Sequence, residues 1–191
     1  MQNTDQGSAS GGRRRHAVVR RRLPLSAPEA WELVTDVRNH ARWVPLTRIA
    51  AGPSLEVGEE FLAVSGPGAR RGWPGIADRM VLESSTPPDP DSGRPGHAVY
   101  RKRGPVLLGT AEVRVSPVRV TPMGERSVLE WVEDVHLRGL PRALTAPLLR
   151  PVLGAMLRVV MRRLGAELEP GPSESAARPG EQSPTEFDPG S

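Results

Sequence analysis

Glu133 is the one charge on an otherwise apolar strand face. In the segment SVLEWVEDVHL, residues 127–137, alternation puts Leu129, Trp131, Val135 and Leu137 on its side and Glu130, Asp134 and His136 on the other. Two more segments repeat the pattern. Asp78 shares a phase with Ile76, Met80 and Leu82, and Arg21 shares one with Ala17, Val19, Leu23 and Leu25. A charge facing an apolar interior must be paired or have its pKa moved. A desolvated carboxylate of this kind can pass a proton to or from a bound carbonyl compound. Two plainer readings stand beside that one. A single bulge would turn the same side chain to water, and a buried pair can serve structure alone.

The large side chains that could wall a cavity are Trp43, Trp73, Tyr100, Trp131, Met156 and Val160, with ordinary core packing as the alternative for each. Other chemistry is missing. The chain has no cysteine, which removes disulfides, thiolate metal sites and cysteine nucleophiles. The four histidines, His16, His40, His97 and His136, have no metal-ligand spacing. There is no G-x-S-x-G elbow, phosphate loop or dinucleotide fingerprint. No metal and no cofactor are implied.

These candidates need elements to hold them. Alternation and Gly/Pro punctuation predict seven strands, at 17–25, 47–51, 59–65, 76–84, 97–103, 106–117 and 126–137. Strand 106–117 faces inward with Leu107, Gly109, Ala111, Val113 and Val115 and carries no charge in that phase. Between the first two strands, Ser26 with Glu29 three residues on forms a capping box for a helix bearing Ala30, Trp31, Leu33 and Val34. A second short turn spans Asn39 to Trp43, and Pro45 forbids further helix. From Pro141 to Glu169 the period becomes helical, with an apolar face running from Leu148 to Leu168. Pro147 and Pro151 should kink or restart that helix. Strands followed by one long helix predict an α+β class, with an antiparallel sheet covered on one face.

The 191 residues suit one domain. Residues 1–15, ending in Arg13-Arg14-Arg15, and residues 170–191 are polar and Gly/Pro/Ser-rich, so both read as disordered tails around a domain at 16–169. All but one of the 26 basic residues are arginine, Lys102 being the sole lysine. Net charge is only +4 and 22 acidic residues are interspersed. With few aromatics between the arginines, the pattern argues against a nucleic-acid binder. No run of some 18 apolar residues predicts a membrane span, and the N-terminus has no apolar stretch like that of a secretory signal. A cytoplasmic monomer is the default expectation.

The order of these elements, with SAPEAWELVTDV and Trp43-Val44-Pro45, resembles the START-like superfamily, also called SRPBCC or birch-pollen-allergen-like. Within it the chain is most similar to the polyketide cyclase/dehydrase and lipid transport subgroup. Leu55-Glu56-Val57-Gly58, Asp78-Arg79-Met80 and Leu129-Glu130-Trp131 support the resemblance, which covers roughly residues 16 to 169. It implies a helix-grip fold, a curved antiparallel sheet around the C-terminal helix with a cavity between. It also makes the first and last strands neighbours, so that Arg21 and Glu133 would pair at the cavity. The superfamily has no shared catalytic pattern to carry over. What it implies is a hydrophobic small-molecule ligand of the lipid, polyketide or quinone class; it designates no site, and the residues that strand phase and side-chain size put forward to bind that ligand are Arg21, Trp43, Asp78, Tyr100, Trp131, Glu133, Met156 and Val160. The alternative is a polyketide cyclase/aromatase-like enzyme using a cavity carboxylate.

Overall fold

Seven strands form one antiparallel sheet in the computed structural model, which describes residues 16–121 and 124–169. They are β1 (Ala17–Leu23), β2 (Thr47–Ala50), β3 (Glu60–Ser65), β4 (Ile76–Thr86), β5 (Gly96–Pro105), β6 (Leu107–Thr121) and β7 (Gly124–Leu137). Their order is β1-β7-β6-β5-β4-β3-β2. The sheet is thus a meander from β2 to β7, with β1 added beside β7. The expected neighbours, first and last strand, do pair, with Arg21 opposite Leu129 and Ala17 opposite Glu133.

Between β1 and β2 lie α1 (Ala27–Thr35), a 3-10 turn at Val37–Asn39 and α2 (His40–Trp43). The capping box forms as the sequence predicts. Ser26 Oγ accepts from the Glu29 amide, and the Glu29 carboxylate accepts from the Ser26 amide at 2.9 Å. Asp36 then caps the 3-10 turn through the Arg38 amide. Leu46, just past Pro45, adopts a left-handed φ of 54° that swings the chain into β2.

The C-terminal helix α3 (Arg142–Leu168) does not restart at Pro147 or Pro151; it runs through both as one helix of 27 residues. Each proline removes one amide donor and leaves the carbonyl four residues earlier unpaired. Here those carbonyls belong to Ala143 and Pro147, both exposed, so water can satisfy them. Leu157, Val160, Met161 and Leu164 are buried against the sheet. Leu148 and Val152, expected on the same face, are 73% and 65% exposed. By length and composition alone α3 could cross a membrane; in this fold its second half packs on β1 and β7. Two other differences concern β5. It runs through Arg103-Gly104-Pro105, a segment whose composition predicts a turn, and the Gly104–Pro105 bond is cis. The expected tails at 1–15 and 170–191 lie outside the described residues.

Candidate functional site

Three buried charges meet on the concave face of the sheet. Lys102 on β5 has Ala98 and Tyr100 in its phase, all three buried. Its ammonium lies 2.6 Å from Asp78 Oδ2 on β4 and 3.6 Å from Glu133 Oε2 on β7. Lys102 and Asp78 sit on adjacent strands. Reaching Glu133 requires crossing β6, and β6 offers only Gly109 opposite Lys102 and Ala111 opposite Glu133. Two nearly absent side chains thus leave the corridor in which the ions touch. A register shift between Asp78 and Met80 sets the Asp78 carboxylate beside the Lys102 ammonium.

The electrostatics follow from burial and mutual distance. Burial pulls the Lys102 ammonium down, but Glu133 and Asp78 outweigh it and the net shift is upward, so Lys102 stays protonated. For Glu133, burial pushes the carboxyl up; Lys102 draws it back, Asp78 pushes again, and the result lies above the ordinary range. One lysine is therefore shared by two carboxylates. Asp78 Oδ1 and Glu133 Oε2 have no hydrogen-bond donor. The Trp131 indole N–H lies close enough to Glu133 to favour its charged form without closing a hydrogen bond of its own.

Around these groups lies a cavity of about 430 Å³. Apolar side chains from the sheet, including Phe61, Met80 and Trp131, form one wall. Leu153, Met156, Leu157 and Val160 of α3 form the other. Ile76, Val106 and Val152 line it while 40–65% exposed, and so mark where it opens to water. A wider groove of about 820 Å³ on the other side of β1 and β7 is lined by Arg20, Arg114, Arg158, Glu112 and Glu130, and is a solvated charged surface rather than an enclosure.

The helices after β1 close one end. His40 lines the cavity, donates Nε2–H to the Val34 carbonyl at 2.7 Å, and packs its ring on Trp131 with centroids 4.9 Å apart. Burial drives its pKa down to about 4, so the ring is neutral at pH 7. Folding therefore suppresses a protonation that the unfolded chain undergoes near pH 6.5. The stability His40 contributes is complete above that value and is lost as pH falls toward 4, by roughly 3 kcal/mol at most. Urea denaturation between pH 7 and pH 4 should show this limb, and His40→Gln should flatten it.

Of the residues singled out from the sequence, Asp78, Tyr100, Trp131, Glu133, Met156 and Val160 all line the cavity. Arg21 and Trp43 do not. Arg21 holds the inward phase of β1, but α3 covers it there. Its guanidinium lies across Gly165, where a Cβ would come within 1.7 Å of it, and it pairs with Glu169 at 3.6 Å. The expected Arg21–Glu133 ion pair does not form, because the two stand four register positions apart and Lys102 takes Glu133 instead. Trp43 is fully buried, with its indole N–H donated to Glu167 at 2.7 Å, so it fastens α2 to α3. Trp73 is 64% exposed. Period-2 reasoning missed Lys102 and His40. The available signal for Lys102 was its phase with Ala98 and Tyr100 in a chain that otherwise uses arginine everywhere. A compact ammonium fits where a five-donor guanidinium could not be satisfied. Among the described residues no group of three His, Asp or Glu side chains is placed to hold a metal ion.

Solved structures share this architecture. A START superfamily protein from Mycobacterium smegmatis aligns with a TM-score of 0.53 at 13% identity, over 80% of this chain and 96% of that one. A protein from Chromobacterium violaceum aligns with a TM-score of 0.54 at 15% identity, over 82% and 99%. At such identities the likeness speaks for the fold. No curated protein matches the chain by sequence. The family model described as polyketide cyclase / dehydrase and lipid transport matches residues 14–169. That span takes in the whole sheet, the capping helices, α3 and the buried Lys102 cluster, and the chain accordingly belongs to the polyketide cyclase / dehydrase and lipid transport family.

Proposed function

We propose that this protein binds a hydrophobic small molecule, of the lipid, polyketide or quinone class, between the sheet and α3. The observation that carries this reading is the cavity of about 430 Å³, apolar on nearly all sides with a few convergent polar groups at its base. That combination of size and lining is typical of small-molecule sites. Ala111 lines it beneath Glu133. Replacing Ala111 with phenylalanine should put a ring into the space the ligand occupies and weaken a neutral apolar probe such as Nile red by about tenfold or more, a loss of about 1.4 kcal/mol. Fluorescence titration checks this; probe binding equal in Ala111→Phe and the parent protein would place the site elsewhere. Native mass spectrometry of protein purified from its own host would identify a retained molecule.

One observation favours a second reading, that the cavity also performs cyclase/dehydratase chemistry on a polyketide-like substrate. Glu133 is a buried carboxyl held above its ordinary range beside a protonated lysine, and a raised carboxyl is better suited to giving up or taking a proton than an ordinary one. On this reading Glu133→Gln lowers turnover by about 10²–10⁴-fold while ligand affinity holds. A carrier would show a change in affinity alone.

A further inference from the structure

We infer that the cavity selects an apolar ligand bearing a neutral hydroxyl group, a phenol or an alcohol, over the corresponding carboxylate. This deepens the binding reading above and rests on it. The titratable groups lining the cavity are His40, Asp78, Tyr100, Lys102 and Glu133. Lys102 is the one cation among them, against two carboxylates; His40 is neutral and Tyr100 keeps its proton. With both carboxylates ionised the lining carries one net negative charge, and with Glu133 protonated it carries none. In neither state is a positive charge left over for an anionic ligand.

The hydrogen-bond inventory points the same way. An ammonium has three N–H donors. Those of Lys102 are taken by Asp78 Oδ2 at 2.6 Å and Met80 Sδ at 3.5 Å, with Glu133 Oε2 facing the third at 3.6 Å. What stays unused are two acceptors, Asp78 Oδ1 and Glu133 Oε2, on residues 8% and 4% exposed, and one donor, the Trp131 indole N–H, which lies beside Glu133 and favours its charged form. Buried acceptors without donors are costly, and a ligand O–H supplies the missing donor. A ligand carboxylate brings no proton and adds a like charge to a desolvated cluster.

Three matched probes test this on the full-length protein at pH 7 by fluorescence titration: 1-hydroxypyrene, 1-methylpyrene and 1-pyrenecarboxylate. The expected order is hydroxyl tightest, by about tenfold over methyl given a hydrogen bond to a charged acceptor, with the carboxylate weakest by a further factor of about ten. In Asp78→Asn/Glu133→Gln the anions are gone and Lys102 is released, so the carboxylate should become the tightest of the three. If that variant does not fold, the order in the unaltered protein decides alone. Hydroxyl and methyl probes binding alike, or the carboxylate binding best in the unaltered protein, would overturn the selectivity while leaving the cavity a binding site. Failure of all three probes to bind would remove the binding reading itself, and the selectivity with it.

Discussion

Replacing Lys102 with methionine is expected to destabilise the protein by about 3–5 kcal/mol at pH 7, the usual consequence of removing one partner from a buried ion cluster. The ammonium is shared between Asp78 and Glu133, which are 8% and 4% exposed. Without it both carboxylates remain in an apolar surround, and neither has a second cation in reach among the cavity's lining residues. The loss should depend on pH in a definite direction. Glu133 is already held above the ordinary carboxylate range by burial, and Lys102 is what draws it down. In Lys102→Met its folded-state pKa rises further above the unfolded value. A raised carboxyl contributes stability at low pH and loses it as pH climbs through the folded value. The gap between variant and parent should therefore narrow on acidification. Urea denaturation at pH 7 and at pH 5 measures both effects. Replacing all three residues, Lys102→Met with Asp78→Asn and Glu133→Gln, should recover much of the loss, since the cost lies in unpaired charge rather than lost packing. A single-variant loss below about 1 kcal/mol would mean the cluster is solvated and the cavity wet.

Gly109→Ala is the second large effect, expected at about 3 kcal/mol or more and arising from the backbone. Gly109 has φ +131°, a conformation that strains any side chain. A Cβ there would also stand 2.0 Å from the Asp134 carbonyl oxygen and 3.0 Å from the Val135 Cα, both main-chain atoms of β7 that cannot swing aside. The clash falls within the β6–β7 pairing, at the position directly opposite Lys102 of β5, so ligand affinity should fall with stability. A thermal melt should drop by about 6–12 °C, taking 2–4 °C per kcal/mol for a domain of this size. Gly154→Ala is the control of opposite sign. It lies inside α3 with the nearest atom, a tip of Arg158, at 4.0 Å, so alanine should add up to about 1 kcal/mol through helix propensity. Equal melts for Gly109→Ala and the parent would show that β6 is free to shift at this point.

The periodic features were legible without coordinates because they depend on neighbours along the chain. Alternation located all seven strands to within a few residues, and Ser26 with Glu29 announced the first helix. The same alternation put Glu133 and Asp78 on the concave face, because phase alone decides which side of a strand a residue occupies. Phase says nothing about which inward residues meet. That depended on the register of β4, β5, β6 and β7, on the shift after Asp78, and on Gly109 and Ala111 leaving the corridor across β6 open. So the partner of Glu133 proved to be Lys102 from the fifth strand rather than Arg21 from the first.

Where α3 lies across the sheet decided the rest, because a helix docks through contacts between residues far apart in sequence. It covers Arg21 at Gly165 and draws Trp43 out of the cavity wall through Glu167. It also passes through two prolines that local propensity would have used to stop it, at a stretch where Ala143 and Pro147, the residues whose carbonyls they free, are exposed. The residues by themselves determined an antiparallel sheet, its capping helices and an inward face with charges on it. Only the packed fold determined that two of those charges, Asp78 and Glu133, share a single lysine, because the energy of a buried ion is set by distances across strands and no one-dimensional pattern contains them.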